Sequence, residues 1–566
     1  MARTVSFRAV TAERISIPEI TEIKLTEVES RLCTLLDECT KYLEAEKGIK
    51  TSCRIAGGWL LGSESHDIDI ALENIMGYPF AVDFTEFVSN VKELPVKSVT
   101  TVKGNPGQSK HLETAKTAVL GQELDFVNLR DEAYAEDSRI PTQVTFGTPL
   151  QDALRRDITV NSLFYNVHTR SVEDHCGQGL EDLKNGIVRT PLPPRQTFLD
   201  DPLRVIRCIR FTSRFGFQMV PELEASARDA EIQTALAQKI TRERVGEEID
   251  KMMGGRDPFR AIQLIDSLSL FSTVFYIPPE ISSTLSASPA SSSKTIAAGA
   301  ILHTILHPSA PLFAHPPLHS LLTSQLSASS SIIPRLYLAC ALTPYRGITY
   351  ADSKKRARPA VEAAIREGLK IGTKNHYLDG IPALYAAAEL LKAPRLDDDR
   401  FTSPSERVAI GMLLRETAVH NPLLDAHWTT SLLFALVQDL VPLYNVAADS
   451  FDVDGATDII KTYNDFVMRI EELELDKAVD SKPILDGREV VQLLGLSKGG
   501  QWTGRVLTEV VKWQLGHPTA SKDACAEWLK AQHAEGKIST QDQPVSVGGK
   551  RGKDNSQGVV AKKPKK

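Results

Sequence analysis

The segment RIAGGWLLGSESHDIDIAL, residues 54–72, constrains this chain more than any other. It ends in an acid–aliphatic alternation, Asp67-Ile68-Asp69-Ile70. Residues two apart in a strand share a face. Asp67 and Asp69 therefore point one way, and Ile68 and Ile70 point into a core. Adjacent carboxylates repel unless a cation sits between them, and an all-oxygen pair suits magnesium together with substrate phosphates. Upstream, Gly57-Gly58 lets backbone amides come close to a triphosphate. The combination implies metal-assisted phosphoryl or nucleotidyl transfer. Without the glycines, the same acids read equally well as a polar strand end.

The 566 residues are 42% hydrophobic and 24% charged, a globular composition with room for several domains. A net charge of −6 argues against a generic polyanion binder, so any nucleic-acid site must be a local patch. Seven scattered cysteines form no CxxC pair, which argues for reduced thiols and against structural zinc. No run of about 18 apolar residues exists, so no membrane span is expected. The start, MARTVSFRAVTAER, carries no acid before Glu13 and reads as a weak transit signature or an ordinary frayed terminus.

Apolar residues at helix spacing predict a helix over 22–46. From about 50 to 190, β-branched runs (67–72, 97–103, 124–129) alternate with helices. After Pro191 the pattern is almost wholly helical. Ser/Ala-rich patches at 282–293 and 327–331 read as loops. Residues 354–374 carry seven Lys/Arg, from Lys354 to Lys374, on a predicted helical stretch that either follows an RNA backbone or is a solvated face. Residues 537–566 hold eight Lys/Arg against two Asp and read as a disordered basic tail. Its Lys562-Lys-Pro-Lys-Lys566 end resembles a nuclear localisation signal or a nonspecific RNA contact.

Six segments in order resemble the class II tRNA nucleotidyltransferases, the CCA-adding enzymes, in their eukaryotic form. The first is the Gly57-Gly58 and Asp67/Asp69 stretch. The second is Leu124-Asp125-Phe-Val-Asn-Leu-Arg130, with Asp125 at the family's third carboxylate and a salt bridge to Arg130 as its bland alternative; Glu123 could substitute. The third, Arg155-Arg156-Asp157-Ile-Thr-Val-Asn161, matches RRDxTxN. Adjacent arginines bind phosphate oxygens. Asp157 and Asn161, four apart, are expected to share a helix face and hydrogen-bond a ribose hydroxyl, as the motif does in the family. The polar stretch Asp131–Pro149 before it resembles the family's flexible loop. The fourth, residues 174–183, reads as a turn between head and neck.

The fifth is Asp200-Asp201-Pro-Leu-Arg204-Val-Ile-Arg207. Asp before Pro is a good helix start. Asp201 and Arg204 can project together from that first turn. An Asp accepts from the N4 or N6 amine of cytosine or adenine, and an Arg donates to N3 or N1. Uracil and guanine present the opposite pattern. The resemblance makes this pair a protein template for C and A, with Arg207 stacking on it or positioning it. The sixth, Thr241–Glu248, resembles ERxxxE and is expected to buttress that helix. Lys482–Gly487, Gly499-Gly500-Gln-Trp502 and Trp513-Gln514 resemble the tail that holds the far part of the tRNA.

One departure stands out. The family's first motif reads GGxVRDxLLG, and here Gly58-Trp59-Leu60-Leu61-Gly62 lacks four residues, including the Arg-Asp. The loss is about 1.1 helical turns, which keeps the helix face within roughly 40°. It bears on catalytic competence, not on the fold.

The expected architecture is α+β: a nucleotidyltransferase head with a small mixed sheet, followed by an all-helical neck, body and tail. Its parts are an N-terminal extension (1–45), head (46–190), neck with the base-selecting motif (191–262), body (263–480), tRNA-binding tail (481–536) and disordered C-terminus (537–566). The resemblance implies catalytic, magnesium-binding Asp67, Asp69 and Asp125. It implies nucleotide-binding Gly57, Gly58, Arg155, Arg156, Asp157, Asn161, Asp201, Arg204 and Arg207. Its implied partners are tRNA, CTP and ATP, with no membrane and no obligate protein partner. Alternatives are a poly(A) polymerase of the same superfamily or a catalytically impaired tRNA-binding variant. The expected location is intracellular, in cytoplasm and nucleus, with the mitochondrion as a further compartment.

Overall fold

Thr26 starts the first helix, α1 (Glu27–Lys47), through a capping box with Glu29, and Gly48 ends it in the left-handed conformation at φ +67°. The expected start at residue 22 falls outside the described residues. The computed structural model describes residues 4–6, 25–56, 67–102, 114–133, 143–307 and 317–541. Gly57, Gly58 and the shortened motif after Trp59 lie outside them, as do the chain's start apart from residues 4–6 and the basic stretch from 542.

The head is built on β1 (Cys53–Ala56), β2 (Asp67–Leu72), β3 (Thr100–Val102), β4 (Thr114–Val119), β5 (Gln122–Asn128), β6 (Arg130–Ala133), β7 (Gln143–Phe146), β8 (Phe164–Asn166) and β9 (Ser171–Glu173). Seven of these form one sheet in the order β9-β8-β1-β2-β5-β4-β3. It is mixed: β2 and β5 run parallel, and the other pairs are antiparallel. Leu32, Leu36 and Leu43 of α1 and Phe80 and Phe84 of α2 (Gly77–Glu86) pack with Ile55, Ile70 and Phe126 in its core. β4 turns into β5 through Leu120 and Gly121, at φ +54° and +79°, the two-residue reversal whose twist matches the strands. The ends of the polar 131–149 stretch are not loop: β6 and β7 pair as an antiparallel ladder.

Beyond the sheet come α3 (Pro149–Leu154), α4 (Gly179–Asn185), α5 (Pro194–Asp200), α6 (Leu203–Phe215), α7 (Pro221–Ala227), α8 (Ala230–Lys239), α9 (Arg242–Met253) and α10 (Pro258–Ser267). So part of the 174–183 segment, expected as a turn, is helix α4. Gly179 opens α4 where a side chain would meet the Thr159 carbonyl at 2.7 Å. α9 lies against α6, and Arg210 of α6 donates to Glu248 of α9 at 2.6 Å. Buried helices Ser293–Leu306, Ile332–Ala341, Tyr377–Leu390 and Trp428–Leu440 continue the all-helical region, interrupted by short ladders such as Thr349–Ala351 with Ala357–Pro359.

The basic 354–374 stretch is not the single helix that was expected. It is that ladder followed by a short helix and a π-turn, Ala364–Leu369. Most of its cations are paired: Arg356 with Asp352, Arg366 with Glu362, Lys370 with Glu367 and Lys374 with Asp250. Among the described residues no helix is long and apolar enough to cross a membrane.

The chain divides into two compact units, one of residues 1–393 and 417–464, the other of Pro394–Glu416 with Asp465 onward. In the second, Leu485, Val490, Trp502, Val506, Val510, Cys525 and Leu529 form the core. The three tail motifs meet there. Gln514 accepts from the Ile484 amide at 2.9 Å and donates to the Lys482 carbonyl at 3.3 Å, while Trp502 is buried.

Candidate active site

The acidic face follows from strand register. In the parallel β2–β5 pair, Asp69 stands opposite Asp125 and Asp67 opposite Glu123. Ile68 and Ile70 are buried while Asp69 is exposed, as the alternation predicts. Asp67 begins β2, and its side chain lies outside the described residues. Asp125 does not bridge to Arg130. Its partner is Lys116 at 2.6 Å, its cross-strand neighbour on β4, and Arg130 is 3.6 Å from Glu132 instead. Among the described residues no three His, Cys, Asp or Glu groups gather to hold a metal. Asp69 and Asp125 supply oxygen donors from neighbouring strands on one face; this donor chemistry fits a divalent cation such as magnesium.

The arginine motif hangs from α3. Thr148 and Gln151 form a capping box at its start, and its last turn delivers Arg155 and Arg156. Both fold back onto Asp152, which is 1% exposed. Arg155 Nε donates to one carboxylate oxygen at 2.9 Å, and Arg156 Nε and Nη2 donate to the other at 3.0 and 2.8 Å. Burial alone would raise the Asp152 pKa. The charges of Arg156 and Arg155 outweigh it and hold the carboxyl below its ordinary value. Arg156 also donates to the Asn161 carbonyl at 2.9 Å and stacks on Phe164.

Asp157 and Asn161 do meet, with Asn161 Nδ2 donating to Asp157 at 3.0 Å, but no α-helix brings them together. The helix ends at Leu154, and Thr159–Ser162 is a short 3₁₀ turn. The Asp157 carboxylate turns back to accept the Ile158 amide at 2.9 Å. Burial opposes its ionisation, and Arg207 beside it keeps its pKa low.

Helix α6 brings the fifth segment to the same place. The helix begins at Leu203, and Asp201 accepts the Leu203 amide at 3.2 Å, so the acid caps the helix from one residue further out than Asp-Pro spacing predicts. Asp201 and Arg204 leave the first turn but do not face each other here. Asp201 takes Arg244 of α9 at 3.0 Å. Arg204, 7% exposed, donates to the carbonyls of Thr197 at 3.2 Å and Arg155 at 2.6 Å. Arg207 lies against Asp157, with Nε–Oδ2 2.7 Å, rather than against the Asp201/Arg204 pair. The Glu243–Glu248 segment buttresses α6 as expected, through Arg244–Asp201 and Arg210–Glu248.

Residues 53–189 match the family described as Poly A polymerase head domain, and 216–285 match that described as probable RNA and SrmB-binding site of polymerase A. The chain is 34% identical to the mitochondrial CCA tRNA nucleotidyltransferase of Saccharomyces cerevisiae over 91% of its own length and 94% of that protein's. It is 34% identical to the Candida glabrata enzyme of the same name over 93% and 98%. A solved apo structure of a CCA-adding enzyme shares its fold at TM-score 0.54 and 16% identity, covering 89% of this chain and 96% of that one.

The chain belongs to the CCA tRNA nucleotidyltransferase family.

Set against that family, three side chains escaped the sequence reading. Asp152 left a legible trace, lying three and four residues before the motif arginines. Lys116 left none, because only strand register brings it in. Asp182 of α4 accepts from Thr159 Oγ1 at 2.7 Å and from Arg189 at 3.1 Å, fastening the 3₁₀ turn to the segment after α4.

Proposed function

We infer that this chain adds C, C and A to the 3′ ends of tRNA from CTP and ATP, without a nucleic-acid template, releasing pyrophosphate. The observation that carries this reading is the connection between its parts. Arg204 of the base-selecting helix hydrogen-bonds the backbone of Arg155 in the arginine motif, and Arg207 pairs with Asp157 two residues further along the chain. The identity to CCA tRNA nucleotidyltransferases, spread over nine-tenths of the chain, supports it further.

In this reading Asp67, Asp69 and Asp125 would hold magnesium. When bound, it would lower the pKa of the tRNA 3′-hydroxyl and neutralise the departing pyrophosphate. Gly57 and Gly58 let backbone amides approach the triphosphate, and Arg155 and Arg156 hold its oxygens. Asp157 and Asn161 hydrogen-bond the ribose. Asp201 accepts the N4 or N6 amine, and Arg204 donates to N3 or N1. An arginine already anchored on two carbonyls keeps N–H groups to spare. Uracil and guanine leave both groups mismatched, which in favourable cases costs on the order of 10⁴-fold.

The division into head, neck, body and tRNA-binding tail is part of the same proposal, as is residence in cytoplasm and nucleus besides the mitochondrion named for the two yeast relatives. The missing residues after Trp59 favour one second reading, a catalytically impaired tRNA-binding variant. Purified protein given tRNA lacking CCA, in separate CTP and ATP reactions, decides. Successive C and A addition confirms the first reading. Runs of A alone indicate a poly(A) polymerase. Binding without addition indicates the impaired variant.

A further inference from the structure

We propose that Asp152 is a positioning residue for nucleotide binding: it touches no substrate, but it fixes where Arg155 and Arg156 present their charge to the triphosphate. The inference rests on the nucleotide-transfer reading above.

The site is buried and divided. One Asp152 oxygen serves the Arg130 amide at 3.1 Å and Arg155 Nε at 2.9 Å, and the other, among the described residues, serves Arg156 alone. A carboxylate shared in this way holds two like-charged guanidiniums side by side, which water would otherwise let separate. Arg156 is then clamped a second time by the Asn161 carbonyl and a third by the Phe164 ring. Its Nε, one Nη1 hydrogen and one Nη2 hydrogen are used. One hydrogen on each terminal nitrogen remains, and the side chain keeps 18% exposure. Two N–H groups left on a clamped cation match two oxygens of a phosphate. Arg155 is held on the other side by Glu132 at 3.3 Å. Arg130, Arg155 and Arg156 face Asp152 and Glu132, so the cluster keeps an excess of positive charge. Were Asp152 only a structural anchor, the Thr148–Gln151 capping box and the Ser162 hydroxyl on the Ala153 carbonyl at 2.9 Å would already fix this segment.

The test measures equilibrium binding of CTP and CMP to the full-length chain, with melting temperature alongside. In Asp152→Asn the CTP Kd should rise about ten- to hundred-fold, the scale of one charge-assisted contact, with CMP affinity changed less than threefold. KM for CTP should rise with it by the larger factor, and kcat should change less. If the variant does not fold, Arg156→Lys serves instead, since lysine keeps the charge and loses the fork; it should show the same phosphate-dependent loss. A CTP Kd at its wild-type value, or equal weakening of CTP and CMP, overturns the proposal. Wild-type protein that binds no CTP would instead overturn the nucleotide-transfer reading itself.

Discussion

Arg207 donates from Nε to Asp157 Oδ2 at 2.7 Å, across fifty residues of sequence, and so ties the base-selecting helix to the turn that carries the ribose motif. Asp157 is 6% exposed, and Arg207 is its only cationic hydrogen-bond partner among the described residues. Arg207→Gln should therefore loosen Asp157 while leaving Asp201 and Arg204 in place. Discrimination of CTP against dCTP should fall several-fold, the CTP/UTP ratio should hold, and stability should drop by about 1–3 kcal/mol. Ratios of kcat/KM for CTP, dCTP and UTP check this; an unchanged CTP/dCTP ratio refutes it.

Asp69→Ala should abolish incorporation of CTP and ATP alike, because Asp69 stands opposite Asp125 on the exposed acidic face. Asp67→Ala should do the same. Near-normal turnover of either variant in magnesium would remove these acids from the metal assignment.

Asp201→Ala removes both a proposed base acceptor and a helix cap. Losing the cap alone costs about 0.5–2 kcal/mol and leaves nucleotide preference untouched. Losing the acceptor lowers turnover and narrows the gap between CTP or ATP and UTP or GTP. Measured kcat/KM for all four nucleotides, beside the melting temperature, separates the two effects.

Restoring the family's first motif, by inserting Val-Arg-Asp-Lys after Trp59, should raise turnover. A new charge-assisted contact to the triphosphate is worth roughly 1.5–3 kcal/mol. No gain in kcat/KM would mean that the shorter form is compensated elsewhere in this chain.

Acid should weaken the fold through the arginine network. Asp152, Asp157 and Glu248 all have folded pKa values below their ordinary ones: burial opposes ionisation, but Arg156, Arg207 and Arg210 overcome it. A depressed folded pKa gives stability that is fully present above the unfolded value and is lost as pH falls through the folded one. Urea midpoints should thus hold above about pH 5 and decline below about pH 4. Asp200 acts in the opposite sense, since burial raises its pKa and its protonation eases folding. Asp157→Asn should flatten the acid limb; an equally steep limb in that variant would count against the network.

Much of the head was legible because its signals are local. The alternation at Asp67–Ile70 has the period of a strand, and Asp201-Pro202 has the chemistry of a helix start. What escaped was non-local or nonstandard. Lys116 reaches Asp125 through register between strands, which no window along the chain reports. Arg204 finds peptide carbonyls, which every sequence possesses and none advertises. The spacing of Asp157 and Asn161 correctly predicts contact but wrongly implies an α-helix, because a 3₁₀ turn closes the same distance. Around residues 354–374 the charge density was plain, and of the acids that neutralise most of it Glu362 and Glu367 lie within the stretch and Asp352 beside it, while only Asp250 is brought in from far along the chain.

The reversal at Leu120 and Gly121 sets how β4 lies along β5. A single extra residue there would slide one strand against the other, and the pleat would carry Lys116 to the opposite side of the sheet. Length at this corner is thus under a constraint of its own. Gly121, at φ +79°, tolerates no side chain without strain, and a one-codon insertion would strip Asp125 of its ammonium neighbour without altering any residue of the acidic face.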